Sequence, residues 1–103
     1  MSPQEFLTRR AAGDPMTLLD VREEWELGLA PVPSALVHIP MARLAERLHE
    51  LDPHQHTVVI CRSGGRSLQA AGFLAAQGFT SVFNLTGGIL AWSRDVDPKI
   101  PQY

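Results

Sequence analysis

The run Thr57, Val58, Val59 and Ile60 enters Cys61 without a polar break and leads through Arg62, Ser63, Gly64, Gly65, Arg66 and Ser67 into a helical stretch. A short β-prone run without hydrophobic alternation is how a strand buried on both faces reads. Three further runs have the same character: Thr17–Val21, Leu36–Ile39 and Val82–Leu85, each bounded by turn residues or by helical sequence. Short strands that alternate with helices predict an α/β fold, a mainly parallel central sheet flanked by helices on both faces. In such sheets the active site lies beyond the carboxyl ends of the strands, where Cys61 stands.

The helical stretches carry their own punctuation. Ser2, Pro3 and Glu5 supply a hydroxyl cap, a first-turn proline and a carboxylate three residues past the cap, and Gly13, Asp14 and Pro15 stop that helix. Arg22–Leu29 adds a helical turn, followed by an irregular Pro31–Ser34. The spacing of Met41, Leu44, Ala45, Leu48 and Leu51 predicts one amphipathic helix over 41–51, ended by Asp52 and Pro53. A helix over Ser67–Gln77 stops at Gly78, and Gly87 with Gly88 introduces a last one around Ile89–Ser93. Pro98–Tyr103 reads as irregular.

Composition narrows the function classes. At 103 residues, with 45% hydrophobic and 19% charged, the chain is expected to be a single domain spanning 1–103. Its formal net charge of −2 gives no basic surplus for nucleic acid or an anionic membrane, so only a local patch would bind an anion. One cysteine excludes an intrachain disulfide and a tetracysteine metal site. The first residues resemble neither a signal peptide nor a membrane anchor, and a reducing compartment, the cytoplasm, is the expected location.

The Cys61 loop carries the chemistry. Glycines tolerate positive φ, so successive amides from Arg62 to Ser67 can curl around one point, and none of these residues is a proline lacking its N–H. The following helix adds the positive end of its dipole. Together these features should make Cys61 a thiolate at neutral pH. The plain alternative is an inert buried cysteine in a tight turn. The coincidence of strand, glycine pair, two arginines and helix start favours a nucleophile in an anion cradle.

These residues place the chain among others. Leu18, Leu19, Asp20, Val21 and Arg22, followed by Glu24, Trp25 and Glu26, then Pro33, Ala35, Ile39 and Pro40, the Cys61–Arg66 loop, and finally Leu85, Gly87, Gly88 and Trp92 occur in the order of four family signatures. Across almost its whole length the sequence resembles the rhodanese-like sulfurtransferases, especially the small single-domain bacterial members. The family's Gly-His-Ile-Pro-Gly-Ala segment reads here Ala30, Pro31, Val32, Pro33, Ser34 and Ala35.

The resemblance implies a mechanism. Phosphatase relatives separate cysteine from arginine by five residues, whereas four intervene here, a shorter loop of the sulfurtransferase kind. It implies that Cys61 takes sulfane sulfur from a small anionic donor such as thiosulfate. The resulting persulfide would pass it to cyanide, a thiol or a protein acceptor, with no metal or organic cofactor. Arg62, Ser63, Gly64, Gly65, Arg66 and Ser67 are the expected substrate-binding residues. The arginines alternatively brace the loop against Asp20 or Glu26, and Ser67 alternatively caps the helix. Asp20 and Arg22 are expected to be scaffold.

Two other functions on this fold fit the sequence less well. A phosphatase or arsenate reductase on the same fold is disfavoured by loop length and by the lack of a second cysteine. A noncatalytic sulfur-carrying or regulatory module is disfavoured less strongly, by the intact cysteine and arginines. His49, His54 and His56 read as part of a solvated turn at the far end of a strand from Cys61 rather than as metal ligands. Trp25 and Trp92 are expected to be structural, in or partly in the core, rather than lining a substrate pocket.

Overall fold

The computed structural model describes residues 1–103. Helix α1 (Pro3–Ala11) begins as its sequence dictates: the Ser2 hydroxyl accepts the Glu5 amide at 3.1 Å, with Pro3 in the first turn. Then follow β1 (Met16–Asp20), α2 (Glu24–Leu29), β2 (Val37–His38), β3 (His56–Ile60), α3 (Gly65–Ala76), β4 (Val82–Asn84) and α4 (Gly88–Asp95). The strands form one sheet in the order β2-β1-β3-β4, every neighbour parallel, as the strand and helix alternation predicts.

Side chains alternate across this sheet and divide the core in two. Leu18, Val58 and Ile60 face one layer with Phe6, Ile89 and Trp92 of α1 and α4. Leu19, Val59 and Cys61 face the other, against Leu44 and Leu51 and against Ala70 and Leu74 of α3. Both faces are covered, which is why the strands lack polar alternation. The chain leaves β1 for β2 on one side and reaches β3 on the other, so the topology switches direction between β1 and β3. Asp20 and Ile60 are paired at the carboxyl ends of those two strands, beside the opening of the Cys61 loop. No helix is long and apolar enough to cross a membrane.

Two expectations need correction. Residues 41–51 do not form one α-helix; they form two 3-10 segments, Met41–Arg43 and Ala45–Glu50, with a break in helical geometry at Arg47 (φ −117°, ψ 16°). Met41 and Leu44 are three apart, as are Leu48 and Leu51, and a 3-10 turn stacks residues three apart on one side. The apolar face is therefore the expected one, served by a tighter backbone. The exposed pairs Arg43–Glu46 and Arg47–Glu50 have the same three-residue spacing.

Trp92 is buried against Phe6, with ring centroids 5.6 Å apart, but Trp25 is 63% exposed and is not a core residue. Helix α2 has only six residues, and its one buried side chain is Glu26. The next-door Trp25 points elsewhere, edge-on to Tyr103 at 6.3 Å.

Candidate active site

Cys61 follows the last residue of β3 and is 1% exposed. Its Sγ lies 3.1 Å from the Gly64 amide and 3.3 Å from the Ser67 hydroxyl oxygen. Burial alone would raise the thiol pKa. With its proton turned to Sγ, the Ser67 hydroxyl together with the amides of Ser67, Gly64 and Ser63 outweighs burial, and the net shift is then downward. A cradle of inward amides at a helix N-terminus thus surrounds the sulfur, as the loop sequence predicts.

Two glycine contacts create this ring. Gly64 takes φ +108° as the residue that caps α3, so the chain turns back over the sulfur before the helix starts. Ser67 is therefore not the cap but the third helical residue, free to face Cys61. On the other side of the loop, the Ile89 and Leu90 amides donate to the carbonyl oxygens of Cys61 (2.9 Å) and Arg62 (3.1 Å). With those carbonyls drawn toward α4, the loop's amides are left to face the sulfur. Gly88, at φ +62°, permits this approach: a Cβ there would lie 2.5 Å from both carbonyl oxygens.

The two loop arginines go to different partners. Arg66 meets the Glu26 carboxylate with both terminal nitrogens, at 2.6 and 2.8 Å, the bracing arrangement weighed from the sequence. Its guanidinium pKa is raised, first by that hydrogen-bonded pairing, and the Cys61 charge adds to the effect. Glu26 is pulled down to about 2, principally by Arg66, with the Tyr103 hydroxyl donating to its second oxygen at 2.7 Å. Arg62 stacks over the Tyr103 ring, 5.3 Å from its centroid, and donates to the Tyr103 backbone oxygen. No aspartate or glutamate side chain pairs with Arg62.

Beneath this layer, Arg22 is wholly buried beside Asp20. Its guanidinium donates to both carboxylate oxygens, the closest contact being 2.9 Å, and also to the Ala30 carbonyl at 3.0 Å and the Tyr103 hydroxyl at 3.1 Å. The Ala30 contact ties the start of the 30–35 segment to the buried Arg22. Ala30 is fully buried and Val32 nearly so. Asp20 and Arg22 are scaffold, as expected from the sequence.

Around the arginines lies an open depression of about 660 Å³ lined by Trp25, Glu26, Leu29, Arg62, Arg66 and Tyr103. Tyr103 and Asn84 take part in the site without having been among the residues expected there. Asn84 closes β4, where its side-chain amide donates to the Gly64 carbonyl at 3.2 Å and its side-chain oxygen accepts from Ser67. A polar residue in the otherwise apolar run Val82–Leu85 was the available signal for Asn84; Tyr103 had none. The three histidines read from the sequence as a solvated turn, His49, His54 and His56, precede or open β3. His56 opens β3 and contacts Ser81 at 2.6 Å, a strand length, roughly 16 Å, from Cys61.

A parallel α/β sheet with a buried thiol in the loop beyond its switch point, one amide 3.1 Å from the sulfur, defines an α/β protein with a cysteine-loop site. The sequence profile described as Rhodanese-like domain matches residues 2–95. The protein described as a sulfurtransferase in Allochromatium vinosum is 40% identical over 91 residues, which cover 87% of this chain and 84% of that one. Rhodanese-like/PpiC domain-containing protein 12 of Arabidopsis thaliana chloroplasts is 44% identical over 94 residues, 87% of this chain but 31% of that protein. Among solved structures, a rhodanese-related protein from Thermoplasma volcanium aligns with a TM-score of 0.81 and 29% identity, over 93% of this chain and 91% of the other. The chain belongs to the rhodanese-like family.

Proposed function

We propose that this protein is a sulfurtransferase that moves sulfane sulfur through a persulfide on Cys61, with thiosulfate or a similar small anion as donor. The observation that carries the reading is the buried Cys61 thiol in its loop, with the Gly64 amide 3.1 Å from Sγ and the Ser63 and Ser67 amides contributing beside it. The thiolate attacks the outer sulfur of thiosulfate, the S–S bond breaks, and its electron pair leaves on sulfite. The new terminal sulfur carries the negative charge into the ring of amides. Cyanide or an acceptor thiolate then attacks that outer sulfur, and the electron pair of the persulfide bond returns to Sγ.

Arg62, which no aspartate or glutamate side chain holds, is assigned to the departing sulfite through the terminal nitrogens that its bond to Tyr103 leaves free. Arg66 contributes its charge and the donors Glu26 does not use. Ser63, Gly64, Gly65 and Ser67 supply the remaining contacts to the sulfur. This cycle uses no metal or organic cofactor, and a reducing cytoplasm suits it because Cys61 must return to the thiol. Incubation with thiosulfate followed by intact-mass measurement tests the reading: the protein should gain the mass of one sulfur atom, reversibly by cyanide or dithiothreitol, and Cys61→Ser should gain none. Thiosulfate:cyanide turnover in the serine variant would overturn the covalent mechanism.

A second reading has one observation in its favour. Trp25 and Leu29, on the rim of the depression, are 63% and 50% exposed, which suits a protein acceptor and a carrier with slow turnover toward small thiols. Sulfur loading at normal rate with very slow discharge to cyanide and free thiols would select that reading.

A further inference from the structure

The hydrogen-bond inventory around Ser67 permits one arrangement in the resting site. The Gly64 carbonyl can only accept, so Asn84 must turn its nitrogen toward it, at 3.2 Å. That leaves the Asn84 side-chain oxygen facing Ser67, and an amide oxygen also only accepts. A hydroxyl has a single proton. Committed to Asn84, Ser67 presents a lone pair to Cys61 Sγ at 3.3 Å, which suits a neutral S–H and opposes a thiolate.

We propose that Asn84 is a positioning residue that directs the one hydroxyl proton of Ser67, holding it off Cys61 until negative charge arrives on Sγ. The inference rests on the sulfur-transfer reading for its role in turnover. In the persulfide, the charge lies on the outer sulfur and Sγ needs no strong donor, so Ser67 stays with Asn84. When an acceptor takes the outer sulfur, the electron pair of the broken bond returns to Sγ, and the hydroxyl rotates from Asn84 to the new thiolate. Asn84 thereby favours the loaded site over the discharged one, and Ser67 stabilises the leaving thiolate.

The same competition sets the acidity of Cys61. The charged groups on the elements packed around the sulfur are Arg66 at the head of α3 with its partner Glu26 of α2, Arg62 in the loop, and the mutually paired Asp20 and Arg22 at and just past the end of β1. Strand β4 has no titratable side chain, and the first turn of α4 has no carboxylate. None of these groups is altered in the test. Nor does the loop depend on Asn84 alone, because the Gly64 carbonyl also accepts the Leu68 amide at 3.1 Å.

The experiment measures the apparent pKa of Cys61, the only thiol, by thiolate ultraviolet absorbance and by the pH dependence of iodoacetamide alkylation, in protein never exposed to a sulfur donor. Asn84→Leu removes the acceptor with little change of shape and should lower that pKa by about one unit, since the freed hydroxyl donates to the thiolate. Ser67→Ala should raise it, and adding Asn84→Leu to Ser67→Ala should change nothing further. Asn84→Ala removes the same acceptor without bulk and serves if the leucine variant is unfolded by circular dichroism. A purely structural Asn84 predicts the opposite sign, because a loosened loop loses amide donors. An unchanged or raised pKa on removing Asn84, or a fall that persists without the Ser67 hydroxyl, overturns the proposal. Intact-mass measurement after thiosulfate is a separate arm: loss of sulfur loading with the pKa pattern intact would sink the transfer reading alone.

Discussion

Arg66 and Glu26, forty positions apart, join the nucleophile loop to α2 through two parallel hydrogen bonds of 2.6 and 2.8 Å. Glu26 also accepts from Tyr103 and from the Glu23 amide. One buried carboxylate therefore fixes the head of α3, the start of α2 and the Tyr103 segment together.

The pH dependence of stability follows from that carboxylate. Its pKa in the fold is about 2, below the ordinary value of 4.5, so the unfolded chain binds its proton more readily. The resulting stabilisation is fully present above pH about 4.5 and is lost as the pH falls toward about 2. Arg66 is 38% exposed and screened by solvent, which limits the effect to on the order of 1–2 kcal/mol. Urea unfolding of wild type and Glu26→Gln should differ by that amount at pH 6, with the gap closing between pH about 4.5 and about 2. A gap independent of pH would show that the carboxylate's charge is not what stabilises the junction.

Gly88→Ala should be far more damaging than Gly78→Ala, although both glycines have positive φ. At Gly78 nothing lies within 4 Å of the added carbon, so only backbone strain of about 1 kcal/mol is expected. At Gly88 the added carbon meets the Cys61 and Arg62 carbonyls at 2.5 Å, and rigid backbone must move. A cost of about 2–4 kcal/mol and a loss of sulfur loading of about tenfold or more should result, measured by thermal unfolding and intact mass. Equal stability losses in the two variants would contradict the close packing of α4 on the loop.

The Asp20–Arg22 pair is fully buried, so breaking it should cost more than replacing it. Arg22→Met leaves a carboxylate without a counter-charge and should destabilise by about 3–5 kcal/mol. Combining it with Asp20→Leu should recover part of that loss, because no uncompensated charge remains. Chemical denaturation of both single variants and the double variant checks this through the sign of the coupling. A double variant weaker than either single one would mean that Arg22 acts mainly through Ala30 and Tyr103.

The nucleophile loop was legible in the sequence because its information is local: strand, glycines and helix start occupy adjacent positions, and amides need no side-chain identity. The parallel sheet was legible for a similar reason, from runs whose lack of alternation demands two covered faces. What escaped came from parts of the chain that meet only after folding. Asn84 reaches Ser67 across 17 positions and Tyr103 reaches Glu26 across 77, with no periodicity to announce either contact. The 3-10 turns of 41–51 escaped because apolar residues three apart satisfy both helix types. Trp25 departs from the burial usual for an aromatic residue because the short α2 gives its one buried position to Glu26.

Loop length should decide which group the cradle accepts. Four residues separate Cys61 from Arg66, and within them the Gly64 amide points at Sγ from 3.1 Å while Gly64 itself turns the chain into α3. A loop this short should fit one sulfur atom and exclude a tetrahedral phosphoryl or arsenyl group, so the native protein should show negligible phosphatase and arsenate reductase activity. One glycine inserted between Gly64 and Gly65 adds an amide and widens the ring. It should reduce sulfur transfer while permitting weak aryl-phosphate hydrolysis or tighter arsenate binding. Rates with thiosulfate and cyanide, aryl-phosphate hydrolysis and arsenate affinity are compared in both proteins once circular dichroism shows that the insertion variant is folded. Robust phosphate-ester hydrolysis by the native loop would sink the sulfurtransferase reading. Undiminished sulfur transfer in the lengthened loop would instead show that the position of the amides around Sγ, rather than the size of the ring they close, selects the chemistry.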